Sequence, residues 1–163
     1  MATAIQLYTL REMDASVPEL LRRVADAGFD GVEYAYRVPE ADLDTVQSVL
    51  DETGLEVPSA HVPIDALEDE QSATVEQYRD LHAERLVVPS LDSEAFTTVE
   101  QVREAAHRLD TLAEELTEHD YPLLYHNHDA EFADLDGRTA FDVLVEETDY
   151  VGFELDIGLA TYA

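Results

Sequence analysis

Short apolar runs alternate with longer amphipathic stretches along this chain, and that alternation limits the fold more than any other feature. Strand signals fall at residues 5–9, 31–34, 56–62, 85–89, 122–126 and 150–156. Helical patterns lie between them. Ser16 can cap a helix carrying Val17, Leu20, Leu21, Val24 and Ala25, which Gly28 ends. A second carries Leu43, Val46 and Leu50 up to Gly54, and a third Val75, Tyr78 and Leu81. The longest places Val99, Val102, Ala106, Leu109, Ala113 and Leu116 on one face. A fifth follows the Asp136-Gly137 turn with Phe141, Leu144 and Val145. Pro58 and Pro63 weaken the strand reading only at 56–62.

Strand–helix–strand repetition calls for an α/β fold with a parallel sheet and right-handed crossovers. No GxGxxG turn follows the first strand, so a dinucleotide-binding fold finds no support. A (β/α) barrel is the expected architecture, as a single domain over residues 1–163. A full eight-stranded barrel typically takes about 250 residues. Six strands and five helices match its first two thirds, so the expectation is a C-terminally truncated barrel lacking strands 7 and 8. Its open strand edges would invite a second copy or a complementing C-terminal fragment. A complete six-stranded open sheet is the alternative.

Strand parity locates the ionisable groups. Residues two apart share a face. In the last strand Val151, Phe153 and Leu155 form a face suited to packing under helices, while Gly152, Glu154 and Asp156 form the inward one. Leu124 and His126 share a face, as do Ser59 and His61, and the second strand ends in Glu33. Glu33, His61, His126 and Asp156 therefore fall at the carboxyl ends of strands, the catalytic rim of such barrels. Inward carboxylates there are costly unless they bind something. Imidazole beside carboxylate suits a borderline divalent cation: Mn²⁺ first, with Co²⁺, Mg²⁺ or Zn²⁺ as alternatives. Each residue also has an ordinary reading. His61 could be a hydrogen-bonded core histidine, Glu33 could pair with Arg11 or Arg37, Asp156 could cap a following helix, and His128 could orient its loop. Their common register favours a site. His82, His107 and His119 read as surface residues.

Charge narrows the partners. The chain holds 38 acidic and 9 basic residues, a net charge of −29, and every basic residue is arginine. The acids are dispersed, which reads as adaptation to a salt-rich cytoplasm. No basic patch exists to neutralise phosphates, so nucleic acid is disfavoured as a partner. Without lysine there is no lysine Schiff base, and without cysteine there is neither a disulfide nor a thiolate metal site. No apolar run reaches about 18 residues, so no membrane span is expected. The N-terminus has no secretory pattern, which together with the absence of cysteine fits the cytoplasm.

Several motifs resemble one family. They are Ile5-Gln6-Leu7-Tyr8-Thr9-Leu10-Arg11, Ala27-Gly28-Phe29-Asp30-Gly31-Val32-Glu33, Ser59-Ala60-His61, Tyr125-His126-Asn127-His128-Asp129-Ala130-Glu131-Phe132 and Phe153-Glu154-Leu155-Asp156. In order and spacing they are similar to the sugar phosphate isomerase/epimerase family, the xylose-isomerase-like TIM barrels that include AP endonuclease family 2. The resemblance covers essentially the whole chain. It implies a divalent metal at the barrel mouth and a sugar or polyol substrate isomerised through an enediolate. Asp156 matches the aspartate ligand of the sixth strand. His126 stands where many members carry a glutamate ligand that also serves as acid/base. That departure sets dehydration or elimination on a keto-sugar or inositol derivative beside isomerisation. The family's remaining ligands come from strands 7 and 8, so an inactive fragment or pseudoenzyme is a further alternative, and this chain alone is expected to be inactive. Strand position and resemblance together give the expected site: His126 and Asp156 as metal ligands, Glu33, His61 and His128 as catalytic, and Tyr8, Asn127 and Glu154 as substrate contacts.

Overall fold

The computed structural model describes residues 2–35, 37–69 and 71–162. The chain forms two compact units, Met1–Val62 with Glu70–Leu86, and Pro63–Asp69 with Val87–Ala163.

In the first unit, β1 (Ala4–Gln6) pairs in parallel with β2 (Gly31–Glu33), in the register Ala4↔Gly31, Ile5↔Val32, Gln6↔Glu33. Parallel bridges Gly31↔Glu56 and Tyr34↔Ala60 carry the pairing on towards β3 (Ala60–His61). Gly31 is required by this close approach: a Cβ there would stand 2.7 Å from the Glu56 carbonyl oxygen. Helix α1 (Val17–Asp26) starts where Ser16 donates its backbone N–H and hydroxyl to Glu19, both at 2.8 Å. Its apolar stripe buries Val17, Leu20, Leu21 and Val24. Helix α2 (Leu43–Thr53) is capped by Asp42 and stops at Gly54, whose φ of 71° lies in the left-handed region.

The second unit holds helix α3 (Ile64–Asp69), while α4 (Gln71–Asp80) belongs to the first. Strand β4 (Leu86–Val88) carries the chain from one unit to the other. Helix α5 (Val99–Thr117) leads to β5 (Leu123–His126), and α6 (Ala140–Glu146) to β6 (Gly152–Glu154). The pair β5–β6 is parallel, with Leu124↔Gly152, Tyr125↔Phe153 and His126↔Glu154. A short helix, α7 (Ile157–Tyr162), follows. Leu109, Leu112, Ala113 and Leu116 of α5 are buried, each large one contributing about 1.5–3 kcal/mol. One carboxylate oxygen of Asp110 accepts from the amides of Asp149, Tyr150 and Val151 at 3.0, 2.6 and 3.1 Å, which fastens the entry to β6.

The expected order of strands and helices is present, with several corrections. The first strand ends at Gln6, because residues 7–10 wind into a 3₁₀ turn that Arg11 closes with its backbone and guanidinium N–H groups on Tyr8 O. The third strand shrinks to Ala60–His61 beside its prolines. The third helical region is two helices, α3 and α4. On α6, Val143 is buried where Val145 was expected; Val145 is exposed. Phe153 packs edge-on against Phe141 of α6 as parity requires, but Leu155 is 52% exposed. Among the described residues no helix is long and apolar enough to cross a membrane.

Candidate functional site

In the first unit, parallel pairing brings three strand ends together. The register sets Gln6 beside Glu33, and the Tyr34↔Ala60 bridge sets Ser59 and His61 against the same carboxylate. Glu33 Oε1 accepts from Gln6 Nε2 at 2.7 Å and lies 2.8 Å from His61 Nε2. Its other oxygen, Oε2, accepts from the Ser59 hydroxyl at 3.0 Å. The side chains of Glu33 and His61 are only 14% and 10% exposed. In the tautomer with its proton on Nε2, His61 donates to this carboxylate. The partners of Glu33 are thus His61, Gln6 and Ser59. Arg11 lies over the Tyr8 ring, 4.4 Å from its centroid, and Arg37 reaches the carbonyls of Arg11 and Met13. Tyr8 is on the 3₁₀ turn, half exposed.

In the second unit, the register His126↔Glu154 sets an imidazole against a carboxylate, with Nδ1 3.1 Å from Glu154 Oε1. The opposite ring nitrogen, Nε2, faces Asp156 Oδ2 at 4.0 Å. That is too long for a hydrogen bond and within the roughly 4.2 Å that two ligands at about 2.1 Å from one cation can span. Asp156 Oδ1 accepts from Leu159 N at 2.8 Å, so Asp156 does cap the helix after it. Asn127, expected to touch substrate, is fully buried, and both ends of its amide meet the Asp156 backbone: Asp156 N donates to Oδ1 at 2.8 Å and Nδ2 donates to Asp156 O at 3.2 Å. The His128 ring stands edge-on to that of His126, with centroids 5.4 Å apart. Its backbone N–H donates to Glu131 Oε2 at 3.0 Å. Glu131 is 1% exposed and also accepts from the Tyr125 hydroxyl. Burial, and then the Glu131 charge, push the Tyr125 phenol far above its ordinary pKa. His82 and His107 are exposed, while His119 is half-buried.

The donor set fits a divalent cation. A carboxylate on Nδ1 fixes the His126 ring so that Nε2 is presented, the arrangement that orients metal-bound histidines, and a second carboxylate faces it.

Sequence reasoning gave no role to Gln6, Ser59 or Glu131. Gln6 carries no chemical signal until the register is known. Glu131 did leave one: Tyr125 alternates onto the face opposite His126, and a buried tyrosine needs a partner for its hydroxyl.

The family model of the xylose isomerase-like TIM barrel matches residues 21–161. The chain belongs to this family. Its fold is the xylose isomerase-like TIM barrel, of which the described residues supply six strands. Solved structures agree on the fold. A sugar phosphate isomerase/epimerase from Parabacteroides distasonis aligns with a TM-score of 0.82 at 20% identity, covering 99% of this chain and 67% of its own. AP endonuclease family 2 from Brucella melitensis gives 0.71 at 17% identity, covering 96% and 69%. The probable 3-DHS dehydratase AsbF from Bacillus anthracis gives 0.67 at 16%, covering 96% and 63%. The chain thus spans about two thirds of the length of these three proteins, with shares of 67%, 69% and 63%. A search of curated proteins finds no match.

Proposed function

We propose that this chain carries part of the machinery of a metal-dependent sugar isomerase/epimerase-like enzyme that moves a proton next to a carbonyl through an enediolate. The observation that supports this best is the carboxylate-steered imidazole, His126 between Glu154 and Asp156. His126 Nε2 and Asp156 Oδ2 would hold the cation, with Mn²⁺ suiting mixed nitrogen and oxygen donors. A bound cation supplies Lewis acidity towards the vicinal oxygens of a sugar or polyol. Glu154 keeps the imidazole turned. Glu33 and His61 handle the proton: the Glu33 carboxylate, 2.8 Å from His61 Nε2, orients the imidazole and stabilises the imidazolium formed when His61 takes the substrate proton, while Gln6 and Ser59 hold the carboxylate in place. His128 and the half-exposed Tyr8 are the side chains offered to substrate.

A second reading, a lyase or dehydratase on a keto-sugar or inositol derivative, is favoured by histidine rather than glutamate at 126 and uses the same groups. A nucleic-acid substrate is opposed by the net charge of −29.

The test is metal analysis of the protein beside His126→Ala and Asp156→Ala, with NMR of candidate ketoses in D₂O. Metal loss in both variants, and solvent deuterium entering next to the carbonyl with wild type, are expected. Loss of water from the substrate would select the lyase. Unchanged metal content in both variants would overturn the ligand assignment.

A further inference from the structure

Two polar residues of the 125–131 segment, His126 and Asn127, reach Asp156 by their side chains, while Tyr125 and Glu131 hold the segment in shape. The backbone ladder between β5 and β6 reaches His126↔Glu154. Beyond it the chain turns away, and the backbone N–H of His128 is taken by Glu131. The Asn127 amide continues the ladder in place of main chain, accepting from Asp156 N at 2.8 Å and donating to Asp156 O at 3.2 Å. Leu159 N holds Asp156 Oδ1 at 2.8 Å. Backbone donor, backbone acceptor and one carboxylate oxygen of Asp156 are thus all pinned, and the remaining oxygen faces His126 Nε2. The turn that carries Asn127 is closed from beneath by Glu131, which joins the Tyr125 hydroxyl to the His128 amide with its carboxylate buried.

We infer that Asn127 and Glu131 are positioning residues that set the spacing between His126 Nε2 and Asp156 Oδ2, and through it the affinity of the site for a divalent cation. Asn127 acts as a brace and not as a substrate contact. An asparagine suits the task because its short planar amide offers one acceptor and one donor side by side, matching a peptide unit. The inference rests on the proposal that His126 and Asp156 bind metal.

Mn²⁺ binding to the full chain is measured by calorimetry for wild type, Asn127→Ala, Glu131→Gln and Arg108→Ala, each beside a thermal melt. Arg108 lies on the exposed face of α5 and controls for general destabilisation. Asn127→Ala is expected to weaken Mn²⁺ about 10–100-fold, the usual effect of removing a group that orients a ligand. Glu131→Gln, which keeps the side-chain shape but leaves one acceptor oxygen for the Tyr125 hydroxyl and the His128 N–H that now take one each, weakens it in the same direction. Arg108→Ala lowers the melting temperature and leaves Mn²⁺ affinity unchanged. If Asn127→Ala does not fold, Glu131→Gln decides. Wild-type affinity in either folded positioning variant, or an equal loss in Arg108→Ala, overturns the inference alone. A folded wild type that binds no Mn²⁺ overturns the metal reading and this inference with it.

Discussion

The two units use the same ingredients in opposite proportions. In the first, a single carboxylate is surrounded by donors: Glu33 meets Gln6, Ser59 and His61. In the second, a single imidazole is flanked by acceptors: His126 lies between Glu154 and Asp156. A carboxylate ringed by donors is held in its charged form and fixes the side chains around it. An imidazole between two carboxylates offers the donor types that a divalent cation takes. Residue types at strand ends look alike in the two units, while the count of donors against acceptors around each hub tells them apart.

The largest expected effect tests that separation. Glu33→Gln should slow exchange of the proton next to the carbonyl by about 10²–10⁴-fold, the usual worth of a positioned acid or base, with Mn²⁺ affinity within a few-fold of wild type. Parallel loss of metal and exchange in Glu33→Gln, read by calorimetry and deuterium NMR, would break the division of labour.

A smaller effect sharpens the contrast in burial. Tyr125→Phe removes a donor from the fully buried Glu131 carboxylate and should destabilise the fold by about 1–3 kcal/mol in urea unfolding. Ser59→Ala leaves Glu33 with two further partners and should cost about 0.5–1.5 kcal/mol. Equal costs would mean that the two carboxylates are equally dependent on one hydroxyl.

The smallest effect gives the background against which both are read. The Arg108 guanidinium holds the Glu68 carboxyl below its usual 4.5, first through hydrogen bonding. A carboxyl depressed in the folded state stabilises fully above its unfolded pKa and loses that contribution as the pH falls through the folded value. The stability difference between wild type and Arg108→Ala should therefore be constant at neutral pH and shrink on acidification below about 4.5. A difference that grows towards acid would contradict the assignment.

Much of this was legible in the sequence. The helix starts at Ser16 and the stops at Gly28 and Gly54 are local signals, and α1 and α2 obey them. Strand parity placed His61 with Ser59 and set Glu154 and Asp156 apart from Phe153, because a two-residue period survives even where the ladder is only three residues long. Register was not legible. Nothing local says that Gln6 lies opposite Glu33, or that Asn127 reaches Asp156, 29 residues further on. The exposure of Leu155 and Val145 escaped for a related reason: parity gives a side, and packing decides whether anything covers it. The 3₁₀ turn at residues 7–10 overrode the β-propensity of Tyr8 and Thr9, as tertiary context often does.

Strand β6 is three residues long, and side chains from earlier in the chain receive it at both ends: Asp110 on α5 at its entry and Asn127 after β5 at its exit. On a ribosome, α5 and β5 emerge first. The strand that bears Glu154 meets partners that all precede it in the chain, and docking it requires the closure of a 28-residue span from His126. The acidic half of the second cluster is thus held by long-range side-chain contacts at both ends of its strand as well as by a three-residue ladder.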